Sequence, residues 1–244
     1  MRRSHDIAAV VLVKNDEYWL PFALKAAFPY FQRFVIHDVG STDRTADIIR
    51  TAVDAFPEKE FFVKFWPDLP TPFQGELRNS MIAETKAEYY FILDADEVYS
   101  PESYELIARS PELFVGTDKV YGVVRRVEVG SDLKQAYGQG QFVPHHRVYH
   151  RTCLWTGPHP GEIPVTPQNR DTALVIEGAT CFHFHGTERS TRDEEVPKRL
   201  ERRKKQTYTP GELQPIDILA ELPILKERIG NFPLNPALER LGCS

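Results

Sequence analysis

Tyr89-Tyr90-Phe91-Ile92-Leu93-Asp94-Ala95-Asp96-Glu97 is an apolar run that ends in a cluster of carboxylates. Tyr90 to Leu93 has the length and composition of a buried parallel strand. The acids follow where such a strand leaves its sheet, and open α/β sheets bind ligands just beyond the carboxyl ends of their strands. Asp94 and Asp96 are two residues apart, so on a continuing strand both would point the same way. Two carboxylates on one side suit a hard divalent cation, Mg²⁺ or Mn²⁺.

The chain before this stretch alternates strand and helix patterns. Ile7 to Val13 reads as a buried first strand. Asn15 or Asp16 is placed to cap a following helix, whose apolar face carries Trp19, Phe22, Ala23, Ala26 and Tyr30. Phe34 to Ile36 is a second strand, and Ser41 or Thr42 is placed to cap a helix with Ala46, Ile49, Val53 and Phe56 at helical spacing. Phe61 to Phe65 is a third strand, followed by a Pro-rich loop (66–72) and a helix from about Glu76 to Lys86. The order β-α-β-α-β-α-β predicts a parallel sheet with right-handed crossovers. Beyond Glu97, Ser100-Pro101 opens a short helix. Strand patterns at Val120–Val129, Phe142–Tyr149 and Ala173–Phe184 lack intervening long helices, which predicts antiparallel or mixed pairing. From Ser190 onward the chain is charged, helical and punctuated by proline. The expected division is a nucleotide half (1–98), a second half of the same domain (99–189) and a helical appendage (190–244).

Composition narrows the function classes. A formal net charge of −5 over 244 residues argues against a general nucleic-acid binder. Cys153, Cys181 and Cys243 are odd in number and lack pairing or zinc spacing, which predicts reduced thiols and a cytoplasmic protein. The apolar run after the basic start, Ile7 to Val13, is too short to span a bilayer. Lys198 to Lys205 forms a cationic run that reads as a solvated face, although it leaves peripheral membrane contact open.

His37 to Thr45 is a second candidate site, with Asp38 at a strand's carboxyl end, where an acid can accept hydrogen bonds from a nucleoside. Four motifs, taken in order, resemble the family-2 glycosyltransferases of the GT-A fold. They are Val13-Lys14-Asn15-Asp16-Glu17, Asp38-Val39-Gly40-Ser41-Thr42-Asp43-Arg44-Thr45, Arg78-Asn79, and Leu93-Asp94-Ala95-Asp96-Glu97. The resemblance covers roughly residues 7 to 100, with weaker echoes to about 186. It implies a mostly parallel Rossmann-like sheet with a smaller mixed second sheet. It also implies metal-dependent inverting transfer of a sugar from a nucleotide diphosphate, UDP above all, to a hydroxyl acceptor that is a glycan, lipid-linked or of another kind. Lys14, Asn15, Asp38, Arg78 and Asp94 would bind the nucleotide sugar. Asp96 would ligate the Mn²⁺ or Mg²⁺ that neutralises the leaving diphosphate. The family often has an acid before the glycine where this chain has Val39.

Six of the eight histidines fall between His145 and His185. His183 and His185 share a strand face, and the resemblance implies that one of them completes the metal shell, with His185, which abuts Gly186, the preferred ligand. Glu162, in the turn Gly157-Pro158-His159-Pro160-Gly161-Glu162, lies in the region where relatives place a general base. Two rival readings come from other classes: a zinc hydrolase built on the histidine cluster, and a nucleotide-sugar-binding module without turnover.

Overall fold

In a computed structural model of the chain, the structure describes residues 6–67, 74–138, 142–156, 163–165, 173–192 and 212–243. Four parallel strands come first: β1 (Ile7–Val13), β2 (Arg33–Val39), β3 (Glu60–Trp66) and β4 (Tyr89–Ile92). Helices α1 (Leu20–Ala27), α2 (Thr45–Ala55) and α3 (Gln74–Thr85) connect them. The order β3-β2-β1-β4 puts β1 and β4 side by side, so the chain reverses its direction of growth beside β1. In open α/β sheets this reversal is where ligands bind, beyond the strands' carboxyl ends.

Side chains of β1 alternate between two cores, as period-two geometry requires. Ile7, Ala9, Val11 and Val13 face a core shared with Leu24 of α1 and Ile48 and Ile49 of α2. Val10 faces the opposite layer with Met81 and Ile82 of α3. Both faces are covered, which is why these strands read as unbroken apolar runs.

The second half continues the same sheet. After β5 (Glu97–Tyr99), α4 (Pro101–Arg109) and α5 (Pro111–Phe114) come β6 (Tyr121–Val129), β7 (Gln135–Tyr137) and β8 (Pro144–His150). β8 pairs antiparallel with both β4 and β6. A separate two-stranded ribbon is made by β9 (Leu154–Thr156) and β10 (Ile163–Val165). β11 (Ala173–His183) lies parallel to β6 and antiparallel to β5, and β12 (Gln214–Pro215) closes the far edge on β7. Pairing is therefore mixed after Glu97, as expected. The described remainder is short helix and turn, including Ile218–Glu221 and Pro236–Arg240. Among the described residues no helix is long and apolar enough to cross a membrane. The three cysteines are buried and unpaired.

Three local expectations are corrected. Asn15 and Asp16 do not cap α1, which starts from Trp19 with no side-chain cap. The backbone carbonyl of Asp16 instead accepts from Trp19 and Leu20 in a tight turn. Ser41 and Thr42 do not cap α2. Ser41 Oγ accepts from the Asn15 amide at 2.9 Å, and the Thr42 amide donates to Asn15 Oδ1 at 2.8 Å. Asp43 receives the Thr45 amide in their place, at 2.9 Å. The capping residues are spent on tying the β1 and β2 loops together, with Asn15 held at φ 53°, a left-handed conformation in which asparagine is enriched. Third, Asp94 and Asp96 do not lie on one strand face. β4 ends at Ile92, and the Glu97 amide closes a turn on the Asp94 carbonyl at 3.0 Å, so the two acids diverge.

Candidate functional site

Carboxyl ends of β1, β2, β4 and β11 lie on one side of the sheet and carry three groups of side chains. The first surrounds Asp96, whose side chain is 3% exposed. His183 Nε2 lies 3.5 Å, Arg189 Nε 3.6 Å and His185 Nδ1 3.7 Å from the same oxygen, Oδ2, which no hydrogen bond closes. The opposite nitrogen of His183, Nδ1, is 3.0 Å from Glu128 of β6. Burial alone would raise the Asp96 carboxyl, but the Arg189 and His183 charges outweigh it and hold Asp96 well below the usual carboxylate range. Burial would lower His183, yet Glu128 and Asp96 push it up to about 10. His185 is lowered, chiefly by burial.

Packing fixes this group in place. Trp19 stacks on Phe184 at 4.0 Å between ring centroids and donates its indole N–H to the Glu188 carbonyl at 2.9 Å. The Phe184 amide donates to the Asp96 carbonyl at 2.8 Å, and the Tyr18 amide to the Arg189 carbonyl at 3.0 Å. Residues 183–189 are thus clamped between the β1 loop and the acid turn.

A second group surrounds Asp94, which is half-buried. It accepts from Arg147 Nη2 at 2.8 Å, with Arg78 Nη2 at 3.5 Å. The same Arg147 guanidinium pairs with Glu97, whose other contacts are His145 Nε2 at 2.6 Å and the Tyr99 hydroxyl at 2.9 Å. Glu97 is fully buried. Burial would raise its carboxyl, but Arg147 and His145 hold it well below its ordinary value. Burial, then Arg147, push His145 down to about 4, so this imidazole is neutral near pH 7. Arg78 also lies over the Trp155 ring, 5.3 Å from its centroid. Trp155 is locked by a two-way amide exchange with Asn79 (2.7 and 2.9 Å) and a 3.1 Å bond to the Tyr90 hydroxyl.

The third group lies at the end of β2. Asp38 is 3% exposed and accepts the Ser41 amide at 2.9 Å through Oδ1; burial raises its carboxyl. Behind it His37 is wholly buried between Glu84, 2.9 Å from Nε2, and the Trp66 indole, 3.2 Å from Nδ1. An indole N–H only donates, so Nδ1 accepts and the imidazole proton sits on Nε2, facing Glu84. Burial lowers His37, in keeping with this neutral tautomer. Lys14 is exposed at the mouth of the β1 loop.

The expected residues Asp94, Asp96, Asp38, Asn15, Lys14 and His185 lie at these strand and loop ends and Arg78 reaches Asp94 from α3, whereas Glu162 and the cationic run Lys198–Lys205 fall outside the described residues. Arg147, Arg189, Glu128 and the partnership of His183 with His185 were not foreseen. Among the described histidines, the rings of His145, His183 and His185 are neighbours, at 6.0 and 5.2 Å, but their partners differ. His145 serves Glu97, the His146 ring lies against Tyr121, His150 bonds Thr152, and of the described histidines only His183 and His185 are paired with Asp96.

Asp96, His183 and His185 each offer a ligand atom, and these atoms lie within 4.8 Å of one another. One carboxylate and two imidazoles, with a buried oxygen left without a hydrogen bond, fit a divalent cation of the Mn²⁺ class. Glu97, His145 and Cys181 are grouped as closely, but Arg147 already neutralises Glu97, which disfavours a cation there.

No protein-family model and no curated protein sequence matches the chain. Solved structures do. A mannosyltransferase from Pyrobaculum calidifontis, in complex with GDP-Man and Mn²⁺, matches with a TM-score of 0.51 and 13% identity, over 86% of this chain and 67% of that one. Residues 1–349 of TarS from S. aureus, in complex with UDP-GlcNAc, match with a TM-score of 0.50 and 13% identity, over 77% and 60%. The chain spans 28% of the length of a longer TarS structure that it also matches. At such identity the likeness speaks for the fold: a mixed α/β chain built on a large, mostly parallel central sheet, the architecture of the GT-A glycosyltransferases.

Proposed function

We propose that the chain is a metal-dependent glycosyltransferase of family 2 that moves a sugar from a nucleotide diphosphate, with UDP the first candidate, to an acceptor hydroxyl. The observation that carries this reading is the open Asp96 oxygen flanked by His183 and His185 at the carboxyl end of a GT-A sheet. A metal ligand imidazole usually donates its other N–H to a carboxylate, and Glu128 stands at that position behind His183. His183 therefore joins His185 and Asp96 as a ligand. Mn²⁺ or Mg²⁺ held there would neutralise charge on the departing diphosphate.

The chain's own residues divide the remaining work. Asp38 receives the nucleoside on the oxygen not spent on Ser41. Arg78, Lys14 and Asn15 line the nucleotide's path, while Arg147 and Arg78 hold Asp94 at its edge. Glu162 is the proposed general base: it takes the proton of the acceptor hydroxyl as that oxygen bonds to the anomeric carbon and the nucleotide diphosphate leaves with its bonding pair, inverting the centre. Glu97 is unsuited to that role because Arg147, His145 and Tyr99 already engage its carboxylate. The arrangement favours this reading over a zinc hydrolase, since only two of the described histidines are paired with Asp96 and His145 is spent on Glu97.

Calorimetric titration of UDP and GDP with and without Mn²⁺, followed by NMR of the anomeric proton of any product, tests the reading. Absence of nucleotide binding with Mn²⁺ present would count against it. Asp38→Asn keeps the acceptor for the Ser41 amide and removes the charge. Its nucleotide affinity is expected to fall by about 1.5–3 kcal/mol, the worth of a charged hydrogen bond, with Tm little changed; unchanged affinity removes Asp38 from the site. Glu162→Gln is expected to lower kcat and leave donor affinity intact, because a base acts on the acceptor proton in the transition state. Loss of donor affinity instead would mark the turn as structural.

A further inference from the structure

Arg189 has an unusual position. Its Nε and Nη2 form a fork on the Asp16 carboxylate, with Nη2 at 2.6 Å, and Asp16 is completely buried at the end of β1. The same Nε is 3.6 Å from Asp96 Oδ2, too far for a hydrogen bond. A buried carboxylate without a neighbouring cation is costly, and here the cation is supplied 173 residues along the chain from Asp16. The fork keeps the guanidinium beside Asp96 and off its lone pairs.

We propose that Arg189 is a resident counter-ion of Asp96 that opposes the entry of a free divalent cation. Charges around the centre support this. Arg189 is held by its fork on Asp16 and presents Nε 3.6 Å from Asp96 Oδ2, so an arriving divalent cation would meet a fixed positive charge beside the oxygen that ligates it. Glu128, on the far side of His183, already has Arg126 at 3.1 Å. A cation held by Asp96 would therefore be repelled by the Arg189 guanidinium. A ligand bringing its own negative charge would offset that repulsion. If the proposed donor reading holds, that ligand is the diphosphate, and cation and nucleotide strengthen each other's binding by one shared factor.

The test is a titration of the full chain with MnCl₂, followed by the EPR signal of free Mn²⁺, with and without UDP. Wild type should bind Mn²⁺ weakly alone and on the order of tenfold more tightly with UDP. Arg189→Gln should bind Mn²⁺ alone on the order of tenfold more tightly than wild type, with a smaller gain from UDP. If Arg189→Gln loses its fold because the Asp16 carboxylate loses the guanidinium fork, the double variant Asp16→Asn/Arg189→Gln is titrated instead; its net charge is that of the wild type, so it should bind free Mn²⁺ more tightly than wild type by less than the single variant, the gain reporting the guanidinium that faces Asp96. Wild-type affinity for free Mn²⁺ in the folded variant overturns the proposal, whatever UDP does. A wild type indifferent to UDP, beside a tighter Arg189→Gln, upholds the counter-ion and counts against the donor reading. A wild type that binds no Mn²⁺ under either condition overturns both.

Discussion

Asp96→Asn is expected to abolish turnover and to weaken Mn²⁺ binding by on the order of a hundredfold or more, beyond what loss of an outer-shell partner costs. The substitution keeps shape and removes the charge. Asp96 is held well below the usual carboxylate range, because Arg189 and His183 outweigh burial, so it is ionised at any working pH and Asn takes away a full negative charge. The amide nitrogen of Asn, placed at Oδ2, would also point a donor at Arg189 and His183. The fold should survive, since each cation around Asp96 keeps another acid: Arg189 keeps Asp16 and His183 keeps Glu128. The backbone bond from Phe184 to the Asp96 carbonyl is untouched. Calorimetry with MnCl₂ and far-UV circular dichroism separate the two claims. A folded variant with wild-type Mn²⁺ affinity removes Asp96 from the cation site.

Much of this arrangement is legible before any coordinates. The first-half strands and helices follow local rules, apolar runs and 3.6-residue spacing, and their bounds agree with the structure to within a few residues. Asp38 and Asp96 are found because an acid just past an apolar run marks a strand's carboxyl end. What was missed depends on long-range geometry. Asp94 and Asp96 diverge because a turn replaces the last step of β4, and nothing in Leu93-Asp94-Ala95-Asp96 announces that turn. Arg147 and Arg189 meet their acids from about 50 and 170 residues away, where no spacing rule reaches. Glu128 did carry a signal. It interrupts the apolar Val127-Glu128-Val129 of β6, and a buried acid in a strand implies a cationic partner. Glu128 has two such partners, Arg126 on its own strand and His183 across the sheet, and His183 is the histidine that the glycine turn ranks below His185.

Arg147 holds two acids at once, and Arg147→Met should cost about 3–5 kcal/mol, the usual penalty for removing one partner of a buried ion pair. For a chain of this size that lowers Tm by on the order of 10 °C, at about 2–4 °C per kcal/mol. The variant leaves Glu97 fully buried with His145 as its nearest charge partner. His145 then responds. In the wild type, burial and next Arg147 depress it to about 4, so its neutral form favours folding above pH 6.5 and that contribution is lost as pH falls toward 4. Without Arg147 the second of those causes is gone and the Glu97 charge draws a proton onto the imidazole. A His145 raised in the folded state gives stability at low pH and loses it as pH rises through the new value. The deficit of Arg147→Met relative to wild type should therefore be larger at pH 8 than at pH 5.5. Adding Glu97→Gln should recover part of the loss at pH 8, since the bare charge is gone, a coupling that a double-variant cycle measures directly. Thermal melts of wild type, both single variants and the pair at the two pH values check every step. A pH-independent deficit, or single losses that simply add, would mean that Glu97, His145 and Arg147 do not share one electrostatic unit.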